Sequence, residues 1–82
     1  MNEKLYKPEF RYLTQGYRGE VSWHISFPMK DIITRRWISD YFIIVSEGAI
    51  NHDWKNALID IDAGDCYTFE DGILNPVPDS RK

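Results

Sequence analysis

Apolar and polar residues alternate most cleanly between Glu20 and Phe27, where Val21, Trp23, Ile25 and Phe27 face one way and Ser22, His24 and Ser26 the other. A period of two marks a half-buried strand. Pro28, which has no N–H to give a ladder, ends it. Upstream, Phe10 and Tyr12 against Glu9 and Arg11 predict a shorter first strand, Glu9 to Thr14. The glycine-punctuated loop Gln15-Gly16-Tyr17-Arg18-Gly19 joins the two as a hairpin.

A second ribbon is expected further on. Ala57 to Ile61 and Asp65 to Phe69 both alternate, with Asp62-Ala63-Gly64 between them. A two-residue loop on Ala63 and Gly64 needs a positive φ at Ala63, which a Cβ disfavours. A three-residue loop puts its glycine third, where Gly64 stands. That register pairs Ile59 with Tyr67 and gathers Ala57, Ile59, Ile61, Tyr67 and Phe69 on the inward face. Asp60, Asp62, Cys66 and Thr68 take the other face, together with Leu58. A slip of one residue would exchange the two. Asp71-Gly72 then turns the chain into Ile73-Leu74.

Between the ribbons the period changes. Trp37, Ile38, Tyr41, Phe42 and Val45 form a stripe at helical spacing. Thr34 suits an N-cap, Ile33 and Ile38 a hydrophobic staple, and Gly48 the closing C′ position. The same stretch holds Tyr41-Phe42-Ile43-Ile44-Val45, whose composition is that of a buried strand. A helix over Thr34 to Glu47 gives β-β-α-β-β: an α+β fold, a small four-stranded antiparallel sheet with one helix on one face and a polar face left to water. A strand over 38–46 gives an all-β fold instead.

Length adds one constraint. Eighty-two residues hold a single domain, 1–82, with residues 1–8 and 75–82 expected as loosely ordered arms. So small a domain is marginal unless its twelve aromatic rings or an oligomer interface supply buried area. Charge adds another. The net −3 divides into +3 over residues 1–36 and −6 over 37–82, a polarity suited to a charged partner or to self-association. No apolar run approaches the roughly 20 residues of a membrane-spanning helix. One cysteine and no visible secretory signal make the reducing cytoplasm the expected compartment.

Catalytic and metal motifs are absent from the pattern. Asp60, Asp62 and Asp65 resemble part of a calcium loop, but Gly64 precedes the third oxygen ligand instead of following it, and no glutamate closes the set. Cys66 with His24 or His52 lacks any local feature that would lower a thiol pKa. Ser22, His24 and Ser26 point outward in parallel and build no triad. His52-Asp53 reads as a turn. No catalytic residue, metal or cofactor is therefore expected.

Basic and aromatic residues meet only at Tyr17-Arg18 and Arg35-Arg36-Trp37, too sparsely for a nucleic-acid binder in a chain of pI near 5.2. Tyr17, Arg35, Arg36 and Trp54 are the candidate binding residues. Trp54 suits a plug over the core edge better than an exposed anchor. The function expected is a small non-catalytic protein-binding or regulatory module, with a homodimer among its forms. The alternative is a small-ligand binder or enzyme with its site between helix and sheet or across a dimer.

Overall fold

The computed structural model describes residues 10–77, and among them there is no α-helix. Eight short strands follow in order: β1 (Tyr12–Gln15), β2 (Glu20–His24), β3 (Met29–Asp31), β4 (Arg36–Ile38), β5 (Phe42–Glu47), β6 (Leu58–Asp60), β7 (Cys66–Glu70) and β8 (Ile73–Val77). A 3-10 turn, Trp54–Asn56, precedes β6. β1 and β2 form the expected hairpin, with Leu13 opposite Trp23 and Tyr12 opposite His24. β5 pairs with the outer edge of β2 and β6 with that of β1, giving a four-stranded antiparallel sheet in the order β5-β2-β1-β6. β3–β4 and β7–β8 are separate two-stranded hairpins.

Both faces of the central sheet are covered, because successive side chains of each strand enter different layers. On one side Leu74 of β8 completes a cluster of Phe10, Leu13, Val21, Trp23 and Ile59. On the other, Trp37 of β4 is buried among Thr14, Ser22, Phe42 and Ile44. The expected polar face is therefore closed over β2, where Ser22 and His24 are buried with Thr14 of β1 beside them, while Ser26, Asp62, Cys66 and Thr68 stay exposed.

The α+β arrangement is overturned at residues 34–47. Asp31 Oδ1 accepts the backbone N–H groups of Ile33 and Thr34, and the Arg35 N–H donates to the Asp31 carbonyl at 2.7 Å. These bonds close a loop between β3 and β4, so Thr34 is a loop residue and no N-cap. The helical stripe is really two strands read together. Trp37 belongs to β4, Phe42 and Val45 to β5, and Ser39–Tyr41 link them. β5 pairs with β2 from Phe42 opposite His24 to Glu47 opposite Glu20, with a bulge beside Val21 and Ser22. Its β-branched run prevails because the strand adds to the open edge of β2, where a ladder and partial burial of Phe42, Ile43 and Val45 reward it.

The last ribbon is overturned differently. Gly64 does adopt the left-handed conformation, at φ 82°. Yet β6 pairs with β1 and β7 with β8, so Ile59 faces Leu13 and Tyr67 faces Pro76. The turn closes on itself: the Asp60 carbonyl accepts from Ala63 and Asp65, and the Asp60 N–H donates to Asp65 Oδ2. Ala57 and Ile59 are buried as expected, but Tyr67 and Phe69 remain 41% and 46% exposed. Residues 75–77, expected in the C-terminal arm, are strand residues of β8. Residues 1–9, with the expected N-terminal arm, and 78–82 lie outside the described residues.

A buried amide fastens β7–β8 to the sheet. Gln15 is fully buried, and its Nε2 donates to the carbonyls of Gly19 and Gly72. Its Oε1 accepts from Asn51 Nδ2 and from the Leu74 N–H, so all four of its hydrogen-bonding positions are filled. The strands meet so closely here that a Cβ on Gly48 would collide with the Gly72 carbonyl oxygen. Gly48 thus serves backbone contact, not a helix end.

Candidate functional site

The residues singled out in the sequence come together at the turn end of the β3–β4 hairpin. Tyr17, in the β1–β2 turn, donates its N–H to the Arg35 carbonyl at 2.8 Å, and the Arg35 guanidinium lies 4.8 Å from the centre of the Tyr17 ring. Arg35 is in the left-handed region at φ 61°, a conformation that favours glycine and strains a residue bearing a Cβ. Arg36, the first residue of β4, extends its Nη1 to within 3.9 Å of Glu20 Oε2. Neither arginine stands on a helical turn.

Trp54 lies behind this group and is a plug: 4% exposed, set edge to face against Trp37, and accepting the Trp37 indole N–H on its carbonyl at 3.0 Å. Two clefts flank the tyrosine. One, of about 590 Å³, is lined by Tyr17, Arg18, Glu20, Ile33, Arg35 and Arg36. The other, of about 280 Å³, is lined by Tyr17, Ile32, Arg35, His52 and Trp54, with His52 edge-on to the Tyr17 ring.

Above the clefts, the hairpin exposes what small domains usually bury. Phe27 is 63% exposed, Met29 68%, Ile32 57% and Ile33 91%. Clustered apolar exposure of this kind marks an interaction surface. Cations surround it. Arg18, Arg35 and Arg36 line the cleft that includes Ile33, while Lys30 and Lys55 line a groove of about 600 Å³ that includes Phe27, Met29 and Ile32. Sequence reading found the arginines but missed Ile33 and Glu20, which looked like a staple and a strand start. The adjacency of Ile32-Ile33 to Arg35-Arg36 was the signal available.

A serine–histidine pair occurs elsewhere and is structural. Ser39 Oγ lies 2.8 Å from His24 Nδ1, and Thr14 Oγ1 lies 2.8 Å from Nε2. The Ser39 hydroxyl also lies 3.2 Å from the Tyr41 carbonyl, so the serine and both ring nitrogens of His24 are engaged within the fold. Burial also pushes the imidazole pKa down to about 4, which makes it a poor base.

The acidic turn is similarly engaged. Arg11 binds Asp60 with two hydrogen bonds of 2.8 and 3.0 Å, and this contact holds the Asp60 carboxyl below the usual carboxylate range. Asp60 is thus already paired within its own chain. Cys66 is exposed on β7. Among the described residues no three His, Cys, Asp or Glu side chains converge as metal ligands, and no helix is long and apolar enough to cross a membrane.

Comparison of the chain with family models, curated proteins and solved structures finds no match.

Proposed function

We propose that this protein is a non-catalytic binding module that grips an acidic, partly apolar protein surface with its β3–β4 hairpin. The observation that carries the reading is the exposure of four large apolar side chains in clefts that also hold cations: Ile33 with Arg18, Arg35 and Arg36, and Phe27, Met29 and Ile32 with Lys30 and Lys55. Left-handed Arg35 supports it, since glycine would make the same turn without strain and would offer no guanidinium. Tyr17, Arg35 and Arg36 form the charged flank, and Trp54 is the buried support beneath. The exposed thiol of Cys66 suits the reducing cytoplasm.

A specific observation favours a second copy as one such partner. β7 exposes Tyr67 and Phe69 close in sequence to Asp65, Glu70 and Asp71, an acidic and apolar strand within the same chain. Hairpin and strand are different patches, so this contact would be head-to-tail.

A photoreactive benzoylphenylalanine in place of Ile33 tests the proposal, with Thr68 as the control position. A discrete adduct at position 33, displaced by excess native chain but not by an Ile33→Asp chain, is expected. No adduct, or the same adduct from both positions, would sink the reading. Light scattering separates the partners, since head-to-tail association gives a mass that climbs with concentration. A nucleic-acid ligand would instead show a steep loss of affinity with salt.

A further inference from the structure

The four-stranded sheet has two outer strands, β6 and β5, and they are finished differently. In β6 the backbone groups of Ala57 and Ile61 turn to β1, so those of Asp60 point outward. They are already taken: the Asp60 N–H donates to Asp65 Oδ2, and its carbonyl accepts from Ala63 and Asp65. In β5 the Tyr41 carbonyl accepts from the Ile25 N–H, which makes His24 and Phe42 a non-hydrogen-bonded pair. The backbone groups of Phe42 and Ile44 therefore point away from β2, and among the described residues they meet no backbone or side-chain partner. Val45 is the extra residue of the bulge and returns Ser46 to the β2 side, in step with Gly48, whose N–H donates to the Gly19 carbonyl. The open edge is thus short, Phe42 to Ile44, and neither Lys nor Pro guards it.

We infer that β5 pairs antiparallel with β5 of a second copy, about a two-fold axis at Ile43, so that two four-stranded sheets become one continuous sheet. The register selects this occupant. Two outward residues spaced two apart are their own antiparallel complement: Phe42 exchanges hydrogen bonds with the partner's Ile44, and Ile44 with the partner's Phe42. Ile43 then meets the partner's Ile43 on the side of the core cluster it already packs against. On the other side, Phe42 and half-exposed Ile44 form two aromatic–β-branched cross-strand pairs, and exposed Tyr41 falls against the partner's Val45. Because the β6 edge is closed, this edge meets its like and not the opposite edge, and assembly stops at two copies.

The test uses the full chain carrying Ile33→Asp, which removes the hairpin contact and leaves β5 untouched. Light scattering should show the mass rise with concentration from one copy to two and stop there. Over the same range, amide exchange at Phe42 and Ile44 should slow by about tenfold or more, and by more than at Ile43, whose N–H already lies in the β2 ladder. Salt should favour the dimer, because the register brings Asp40 near the partner's Glu47, whereas docking through the hairpin cations would weaken. Ile44→Pro removes an outward N–H and Ile44→Lys adds an edge charge; with β1–β2 amide shifts unchanged, each should hold the chain at one copy. A single copy at every concentration, a mass that climbs past two, or new protection in β7 instead of β5 would overturn the pairing. So would protection at Phe42 and Ile44 that dilution does not lift, since an extended segment other than a second β5 would then occupy the edge. The adduct at position 33 is read on its own, so hairpin and edge stand or fall separately.

Discussion

The two hairpins that cover the central sheet are alike in size and opposite in design. β7–β8 turns through Asp71 and Gly72, at φ 55° and 78°, the Asp-Gly pair that a tight two-residue turn prefers. It is fastened by the Gln15 amide and by Leu74 in the core. β3–β4 turns through a longer loop that ends in strained Arg35 and is held by Trp37 and Tyr17. Anchorage by a satisfied amide and one core leucine seats β8 firmly while β7 beside it stays exposed. Anchorage of β3–β4 rests on Trp37 in its second strand and on the Tyr17 bond to Arg35 in its turn, and Met29, Ile32 and Ile33 are left outward along it. The difference lies in which chemistry holds each hairpin, a polar knot in one and an aromatic wedge in the other.

The sharpest way to break the contrast is Gln15→Leu. It removes four hydrogen bonds and leaves the buried Leu74 N–H without an acceptor, while the Gly19 and Gly72 carbonyls keep their bonds from Gly48 and Ala49. At about 1 kcal/mol for each lost bond, with the stranded N–H added, a loss of about 5 kcal/mol is expected in urea unfolding, enough to unfold so small a domain. Hydrogen exchange should show β8 released first. Next comes Trp37→Ala, expected to cost about 4 kcal/mol as a large aromatic is cut from a packed layer. Its exchange pattern should be the mirror image, with β3 and β4 opened and β8 still protected.

Acid provides a third, smaller probe, centred on the layer beneath β4. His24 is held down at about 4 when folded, against about 6.5 for a free imidazole. Between those values the unfolded chain binds a proton that the native chain does not. Stability therefore stays complete above about pH 6.5 and falls toward pH 4, by about 1.4 kcal/mol per pH unit. His24→Asn, measured over the same range, should flatten that dependence. The smallest effect is expected from Arg35→Gly. Relief of the left-handed strain offsets the lost ring contact, so thermal unfolding should shift by less than about 1 kcal/mol while partner binding declines.

Legibility in the sequence followed the same division. The β1–β2 hairpin was readable because its loop glycines and the alternation of β2 agree. The Asp71-Gly72 turn and left-handed Gly64 were readable because local chemistry alone dictates them. Trp54, a candidate binding residue read first as a plug over the core edge, is buried. Residues 34–47 misled because β4 and β5 are short, lie close in sequence and bury side chains toward more than one layer, which imitates a helical period. The inward setting of Tyr67 and Phe69 failed for another reason. A turn specifies the reversal of the chain but not which strand accepts the returning segment, and here Asp65 caps Asp60 in place of continued pairing. Of the candidate site, Tyr17, Arg35 and Arg36 were visible as basic-aromatic neighbours. Their convergence with Glu20 and Ile33 depends on two loops meeting in space, which no local pattern encodes.

The Gln15 knot also sets a timetable. Its bonds to Gly72 and Leu74 span 57 and 59 residues of chain, so the chain must leave the ribosome through Leu74 before that amide finds its last partners. A nascent chain that has already zipped β1 to β2 still carries an unanswered side chain at its centre. Commitment to the native state waits on those distant residues, and contacts of such long reach make it slow.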